Sequence, residues 1–132
     1  MNLKHLTDTT LLNDTLVLVR KEKETSYEIL HHLLEIDRRK LFAELKCSSL
    51  FDYCVRVLGY SEGAAQRRIS SARLMVKSDE VREALKEGEV NLTQLSLIAT
   101  LRNEQPEVPI KDLLNLTKNE GSTKKLVELR KP

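Results

Sequence analysis

The sequence predicts an all-α fold, a compact multi-helix domain that contains a helix-turn-helix. Three observations predict it. Apolar residues recur at helical spacing along most of the 132 residues, the pattern of amphipathic helices. Aromatic residues make up 4% of the chain and it has four glycines, a balance that favours helices over sheets. Serine, threonine or asparagine precedes most of the apolar segments, where a helix N-cap is expected.

The size and composition indicate a single soluble unit. The length fits one domain, residues 1–132, which can bury a core without disulfides or metals. Cys47 and Cys54 are expected to be reduced, partly buried thiols. No apolar segment approaches the roughly 20 residues needed to cross a bilayer, and the N-terminus has no signal-peptide core. We therefore expect a cytoplasmic protein without membrane association.

Two helices are predicted before residue 46. Residues 10–23 carry an apolar stripe broad enough to pack on two surfaces or on a second copy of the helix. Thr25 followed by Glu28 is a capping-box signature, which predicts the start of a second helix. We expect that helix to reach about Leu45, with either a polar face or a local break at residues 37–40.

The segment FDYCVRVLGYSEGAAQRRIS, which begins at Phe51, has the residue types that a helix-turn-helix requires. It predicts this motif at about residues 49–77. Gly59 supplies the left-handed residue that the sharp turn needs. Ser48 or Ser49 is expected to cap the first helix and Ser61 the second. The residues expected to face inward or to close the turn are Val55, Leu58, Tyr60, Ala65 and Ile69.

Shorter helices are predicted after this motif. One begins at Ser78 and stops near Gly88, and the next is capped by Asn91. The two prolines of RNEQPEVP mark a possible linker at residues 102–109. Beyond it we expect two helices, one that Gly121 ends and a last one that begins at the following serine.

The outer face of the second motif helix is the predicted DNA contact, because this face lies in the major groove in such motifs. Gln66 and Arg67 suit adenine and guanine edges, while Arg73 and Lys77 are expected to contact phosphate. Residues 64–78 contain four basic side chains and no acidic one, as a phosphate-facing surface requires. The expected DNA-binding residues are Ser61, Glu62, Gln66, Arg67, Arg68, Ser70, Arg73 and Lys77.

Duplex DNA is favoured over single strands because the sequence has few aromatic rings on which bases stack. We expect a homodimer, since one motif makes few contacts. A different interpretation also remains open. Helices joined by a glycine also occur in domains that never touch DNA. In this alternative the chain is a protein-interaction or oligomerisation domain, and Arg67, Arg68 and Arg73 contact an acidic protein partner.

Candidate catalytic groups are few. His31 and His32 are adjacent, so on a helix they point about 100° apart and cannot clamp one metal. His5 lies far from both in sequence. Cys47 and Cys54 lack CxxC spacing, and the isolated glycines form no phosphate-binding loop. We expect a protein that is not an enzyme and needs no cofactor or metal.

The segments IDRRKLF, SSLFDYCVRVLGYSEGAAQRRI and KEGEVNLTQLSLIA, in this order, resemble the helical amino-terminal region of a group of bacterial HNH endonuclease proteins. The resemblance covers roughly residues 12–129. It implies a DNA-targeting domain that precedes a separate metal-binding nuclease module. The 132 residues contain no such histidine module, so we expect no nuclease activity. A separated DNA-targeting domain of an HNH nuclease, with a nuclease or another protein as a possible partner, is a further alternative interpretation.

A second resemblance covers about residues 58–101. These residues resemble the helix-turn-helix region of ParB chromosome-partitioning proteins. In that region a recognition helix is followed by a short helix, a glycine and another helix, much like the segment EVREALKEGEVNLTQLSLIATL. This resemblance implies DNA recognition. Partitioning is not implied, because the sequence has neither an arginine-rich nucleotide-binding box nor a long carboxy-terminal zipper.

Overall fold

Helices dominate the described part of the chain, residues 1–117 and 126–130 of a computed structural model. These residues contain no strand, which confirms the predicted all-α class. None of their helices is long and apolar enough to span a membrane. A further helical turn occupies residues 126–128. The helices are α1 (Asp8–Arg39), α2 (Leu41–Glu44), α3 (Leu50–Arg56), α4 (Glu62–Lys77), α5 (Asp79–Lys86), α6 (Leu92–Glu104) and α7 (Ile110–Leu116).

The first helix is longer than predicted. The helix start expected at Thr25 is wrong, because α1 continues through it without interruption for 32 residues. Arg, Lys and Glu between the two predicted helices are strong helix formers, and no glycine or proline separates them. The local break at residues 37–40 is confirmed. Lys40 adopts a left-handed backbone (φ 53°), and its N–H donates to the carbonyls of Ile36 and Asp37, so α1 ends before Leu45.

Helices α3 and α4 and the turn between them, the α3–α4 unit, occupy the segment predicted for the helix-turn-helix. The Ser49 side chain accepts from the Asp52 N–H, and the Ser61 side chain accepts from the Ala64 N–H, so both predicted caps are confirmed. Gly59 has the left-handed backbone expected of it (φ 80°). Leu58 does not close the first helix, which ends two residues earlier at Arg56.

Helix α4 lies at the centre of the fold, where it packs against α1, α3, α5 and α6. Ala65 and Ile69 are buried as predicted, and Val55 and Tyr60 are partly buried against the same core. Because neighbours cover α4 on most of its circumference, only a narrow stripe of this helix remains exposed. The buried apolar side chains of this core include Ala72 and Met75 of α4 and, from its neighbours, Leu30, Leu33, Val81, Leu95, Ile98 and Leu101.

The remaining helices follow the predicted caps. Ser78 caps α5, and Asn91 caps α6 through a capping box with Gln94. The predicted linker is shorter than expected, since α6 continues through Glu104 and only residues 105–109 connect it to α7. The side-chain Nε2 of Gln105 donates to the Leu129 carbonyl (2.7 Å) and ties this connection to the C-terminal turn. The helix stop predicted at Gly121 and the start after it lie outside the described residues.

Candidate nucleic-acid interface

Apart from Glu62 in the first turn and the exposed Val76 near the C-terminal end, the exposed stripe of α4 is polar and basic. Gln66, Ser70, Arg73 and Lys77 follow one another at spacings of four, three and four residues, so they share one face of the helix. The side-chain amide of Gln66 donates to the Ser70 hydroxyl (3.0 Å), which links the first two members. Neighbouring core packing fixes the direction of this face, because α4 is covered on its other sides.

Helix α6 completes a groove beside this stripe. Arg102 and Asn103, at the C-terminal end of α6, line the other wall, and Pro106 lies at its edge. The groove has a volume of about 490 Å³ and is open to solvent. Sequence reasoning missed the α6 wall, because the two prolines led us to assign residues 102–109 to a linker. Leu101 was the available signal. It continues the buried apolar stripe of α6, which indicates that the helix extends past it to Arg102.

The groove is positively charged. Arg73, Lys77 and Arg102 all line it, and no acidic side chain is present among its described lining residues. Glu104, close in sequence, lies 3.7 Å from the guanidinium of Arg130 instead. Three cations on converging walls without an intervening carboxylate attract an anion such as a phosphate.

Arg67 lies on a different side of α4 from Gln66, because consecutive residues of a helix point about 100° apart. It lines a crevice of about 800 Å³ together with Lys23 of α1 and the segment that precedes α6. Glu22 and Glu89 also line this crevice, so its charge is mixed. The structure therefore places on different sides of α4 the two side chains predicted to suit adenine and guanine edges.

Arg68 is used within the fold. Its guanidinium lies over the Tyr60 ring, 4.3 Å from the centroid, and donates to the Ala64 carbonyl (3.1 Å). This cation–π contact holds the turn residue Tyr60 against α4. The geometry thus gives Arg68 a positioning role, and the predicted DNA contact by this residue has no support in it. Ser61 and Glu62 are exposed at the N-terminal end of α4.

Both cysteines are buried thiols, Cys54 completely so. Burial raises the pKa of the Cys54 thiol, and the positive charge of Arg68 partly opposes this effect. A thiol that is buried and predominantly protonated is a poor nucleophile. Cys54 therefore contributes to packing beneath the α3–α4 turn.

The two adjacent histidines have separate surroundings on α1. The His31 ring contacts the Tyr27 ring edge to face (4.6 Å between centroids), whereas the His32 Nδ1 lies 2.7 Å from the Glu28 carbonyl oxygen. Among the described residues, no group of three or more His, Cys, Asp or Glu side chains is arranged to hold a metal ion.

Models of protein families, curated proteins and solved structures were compared with this chain, and none of the three sets contains a match. The function is therefore inferred from the chemistry of the chain's own residues. The feature with the clearest chemistry is the groove between α4 and the end of α6, called the α4–α6 groove below.

Proposed function

We propose that this protein binds duplex DNA through the α3–α4 unit, with the α4–α6 groove against the sugar-phosphate backbone. One observation carries the proposal. Arg73, Lys77 and Arg102 converge on one groove, no carboxylate is among its described lining residues, and the groove continues into the polar stripe of α4. A basic surface joined to a polar helix face matches the two tasks of a DNA-binding protein, which are to hold phosphates and to read bases.

The positions along α4 divide these two tasks. In motifs of this kind the N-terminal part of the second helix reaches the base edges. Gln66 lies in that part and carries an amide that pairs with adenine. Arg73 and Lys77 lie further along, beside Arg102, where they would contact phosphate. Phosphate contacts supply most of the affinity, and base contacts supply the sequence preference.

Titrations with random and selected duplexes at two salt concentrations test the phosphate role. We expect Arg73→Ala or Lys77→Ala to weaken binding about equally for all sequences and to lower the salt slope by about one unit, because one ion contact is lost. The matched control is Lys86→Ala, which removes an exposed cation from α5, outside the groove lining. Equal effects of all three substitutions would show attraction by net charge alone and would contradict the groove assignment.

A second comparison tests the side of α4 that faces DNA. We expect Gln66→Ala to relax the preference at one base pair by about 1–3 kcal/mol. Arg67→Ala should have the smaller effect, since Arg67 lines the mixed-charge crevice beside α1. The reverse result would place the duplex against that crevice instead. If neither substitution changes binding to any duplex, α4 does not enter the groove of DNA.

We further propose that the protein is a cytoplasmic DNA-targeting domain without catalysis of its own, of the kind that accompanies HNH nucleases. The separate surroundings of His31 and His32 support the absence of a shared metal site, and the buried thiols of Cys47 and Cys54 suit a reducing compartment. Purified protein incubated with plasmid and Mg²⁺, Mn²⁺ or Zn²⁺ should leave the DNA intact. Nicking that His31→Ala or His32→Ala abolishes would contradict this proposal.

We also propose that the protein is a homodimer. A single α3–α4 unit makes few contacts with DNA, so two copies are generally needed for useful affinity. The observation that favours self-association is separate from the groove. Residues 8–25 of α1 are exposed throughout and include several large apolar side chains.

A further inference from the structure

The first half of α1 has an apolar face that nothing in the chain's described residues covers. Leu12, Leu16 and Val19 are 67%, 57% and 42% exposed and lie on one side of the helix. Exposed apolar side chains that are scattered singly need no explanation, but a contiguous set indicates a contact surface. Together with the residues at its centre and ends it forms the α1 stripe, which consists of Asp8, Leu12, Thr15, Leu16, Val19 and Lys23.

The α1 stripe is continuous with the face that the protein's own domain covers. At the same spacing of three and four residues it is followed by Ser26, Leu30 and Leu33, and both leucines are fully buried in the core. Lys23 marks the boundary, because its side chain lies next to Gly88 of the domain: a Cβ placed on Gly88 would be 3.6 Å from the Lys23 Cδ. One continuous face is thus half occupied and half bare.

The N-terminal segment lies beside the α1 stripe. Met1, Leu3 and Leu6 line an apolar pocket of about 330 Å³ with Leu11 and Leu18, and Thr15 is the one stripe residue among its described lining. These two leucines lie about 80° to 120° around the helix from Leu12 and Val19. The apolar members of the α1 stripe, Leu12, Leu16 and Val19, are not among the residues that line this pocket, and all three are exposed.

The charges at the two ends of the α1 stripe are complementary to those of an antiparallel copy. Asp8 lies at its start and Lys23 at its end, whereas Asp14 and Lys21 lie on the opposite side of the helix. A parallel pair would place Asp8 beside Asp8, which is repulsive. An antiparallel pair places Asp8 beside the basic end and also opposes the two helix dipoles.

We propose that two copies of the chain pair through their α1 stripes in antiparallel orientation, about a two-fold axis between Thr15 and Leu16. In this register Asp8 lies opposite the partner's Lys23, and Leu12 lies opposite the partner's Val19. The overlap of residues 8–23 spans roughly 24 Å at 1.5 Å per residue. The inference rests on the homodimer proposed above and adds its surface, direction and register.

The first experiment measures the mass of the full chain by light scattering or sedimentation at high micromolar concentration. We expect a dimer for the parent and a monomer for Leu16→Glu, because a buried unpaired carboxylate opposes pairing. The control is Leu45→Glu, which alters a similarly exposed leucine (54%) away from the α1 stripe and should remain dimeric. A monomeric parent, or a dimer that Leu16→Glu leaves intact, would overturn the proposal.

The second experiment tests direction and register by disulfide formation between Leu12→Cys and Val19→Cys chains. The mixture should form a mixed disulfide, and each variant alone should not, since in this register like positions are about 10 Å apart along the axis and disulfides join Cα atoms within about 7 Å. The parent, whose two cysteines are buried, is the control for background oxidation. Disulfides within each single-variant sample would show a parallel pair and overturn the direction.

These measurements separate the pairing from DNA binding. Arg73→Ala should weaken DNA binding and leave the protein dimeric, because Arg73 lies on α4, outside the α1 stripe. A dimer with the predicted disulfides but no affinity for DNA would overturn the proposed function and support the pairing. A monomeric protein that binds DNA would overturn the pairing and support the proposed DNA binding.

Discussion

The two halves of α1 have similar sequence patterns and different surroundings. In the covered half, residues 26–39, Leu30 and Leu33 are buried against the domain. In the bare half, residues 8–25, Leu12 and Leu16 follow the same helical spacing, yet every residue is exposed. The difference shows that an amphipathic pattern predicts an apolar face that needs a partner, but not whether the partner belongs to the same chain.

The largest effect should come from removing one leucine from each half. Leu33→Ala leaves a cavity in the core and should lower the free energy of unfolding by about 2–5 kcal/mol. Leu16→Ala, the matched change in the bare half, should lower it by less than about 0.5 kcal/mol under conditions where the chain is monomeric. Denaturant titrations measure both values. Comparable losses would show that the domain covers both halves of α1.

Removing an N-cap from each region should give an intermediate effect. Ser61 caps the central helix α4, so Ser61→Ala should cost about 1 kcal/mol of global stability. Thr7 caps the bare half by accepting from the Thr10 N–H. Thr7→Ala should instead increase amide hydrogen exchange at the start of α1 with little change in melting temperature, because this segment can open without the core. A drop in melting temperature equal to that of Ser61→Ala would contradict this independence.

The smallest effect should be a pH dependence from the end of the covered half. Hydrogen bonds from Arg38 and Arg39 lower the pKa of Glu35 to about 2, from an ordinary value of 4.5. Since the folded-state pKa is the lower one, this contribution is fully present at neutral pH and is lost as the pH falls from about 4.5 toward 2. Glu35→Gln should therefore flatten the acid side of a plot of melting temperature against pH.

Two controls sharpen that measurement. Added salt should shrink the effect of Glu35→Gln, because the ion pairs with Arg38 and Arg39 are exposed and therefore screened. Glu24→Gln, in the bare half, should leave the acid side of the plot unchanged, since this half contributes little to the cooperative transition. An effect of Glu24→Gln as large as that of Glu35→Gln would tie the bare half to the core.

Local signals in the sequence predicted much of the fold. The sequence predicts Gly59 as the turn residue because glycine adopts a left-handed backbone at little cost, and its φ of 80° confirms this. It predicts Ser61, Ser78 and Asn91 as caps because their side chains can accept from nearby N–H groups, and all three do so. The helix start predicted at Thr25 depended on the same kind of capping signal, but it was wrong because no glycine or proline ends the preceding helix there.

The candidate site was only partly predictable. The sequence by itself determined the all-α class and the positions of most caps and turns, because these depend on residues within a few positions of one another. It also identified the basic segment at residues 64–78, which contains no acidic side chain. Only the tertiary structure decided which side of α4 is exposed, because α1, α3, α5 and α6 cover the rest. Long-range packing brought Arg102 to Arg73, placed Arg67 in the crevice beside α1 and Arg68 over Tyr60, and left half of α1 without a cover.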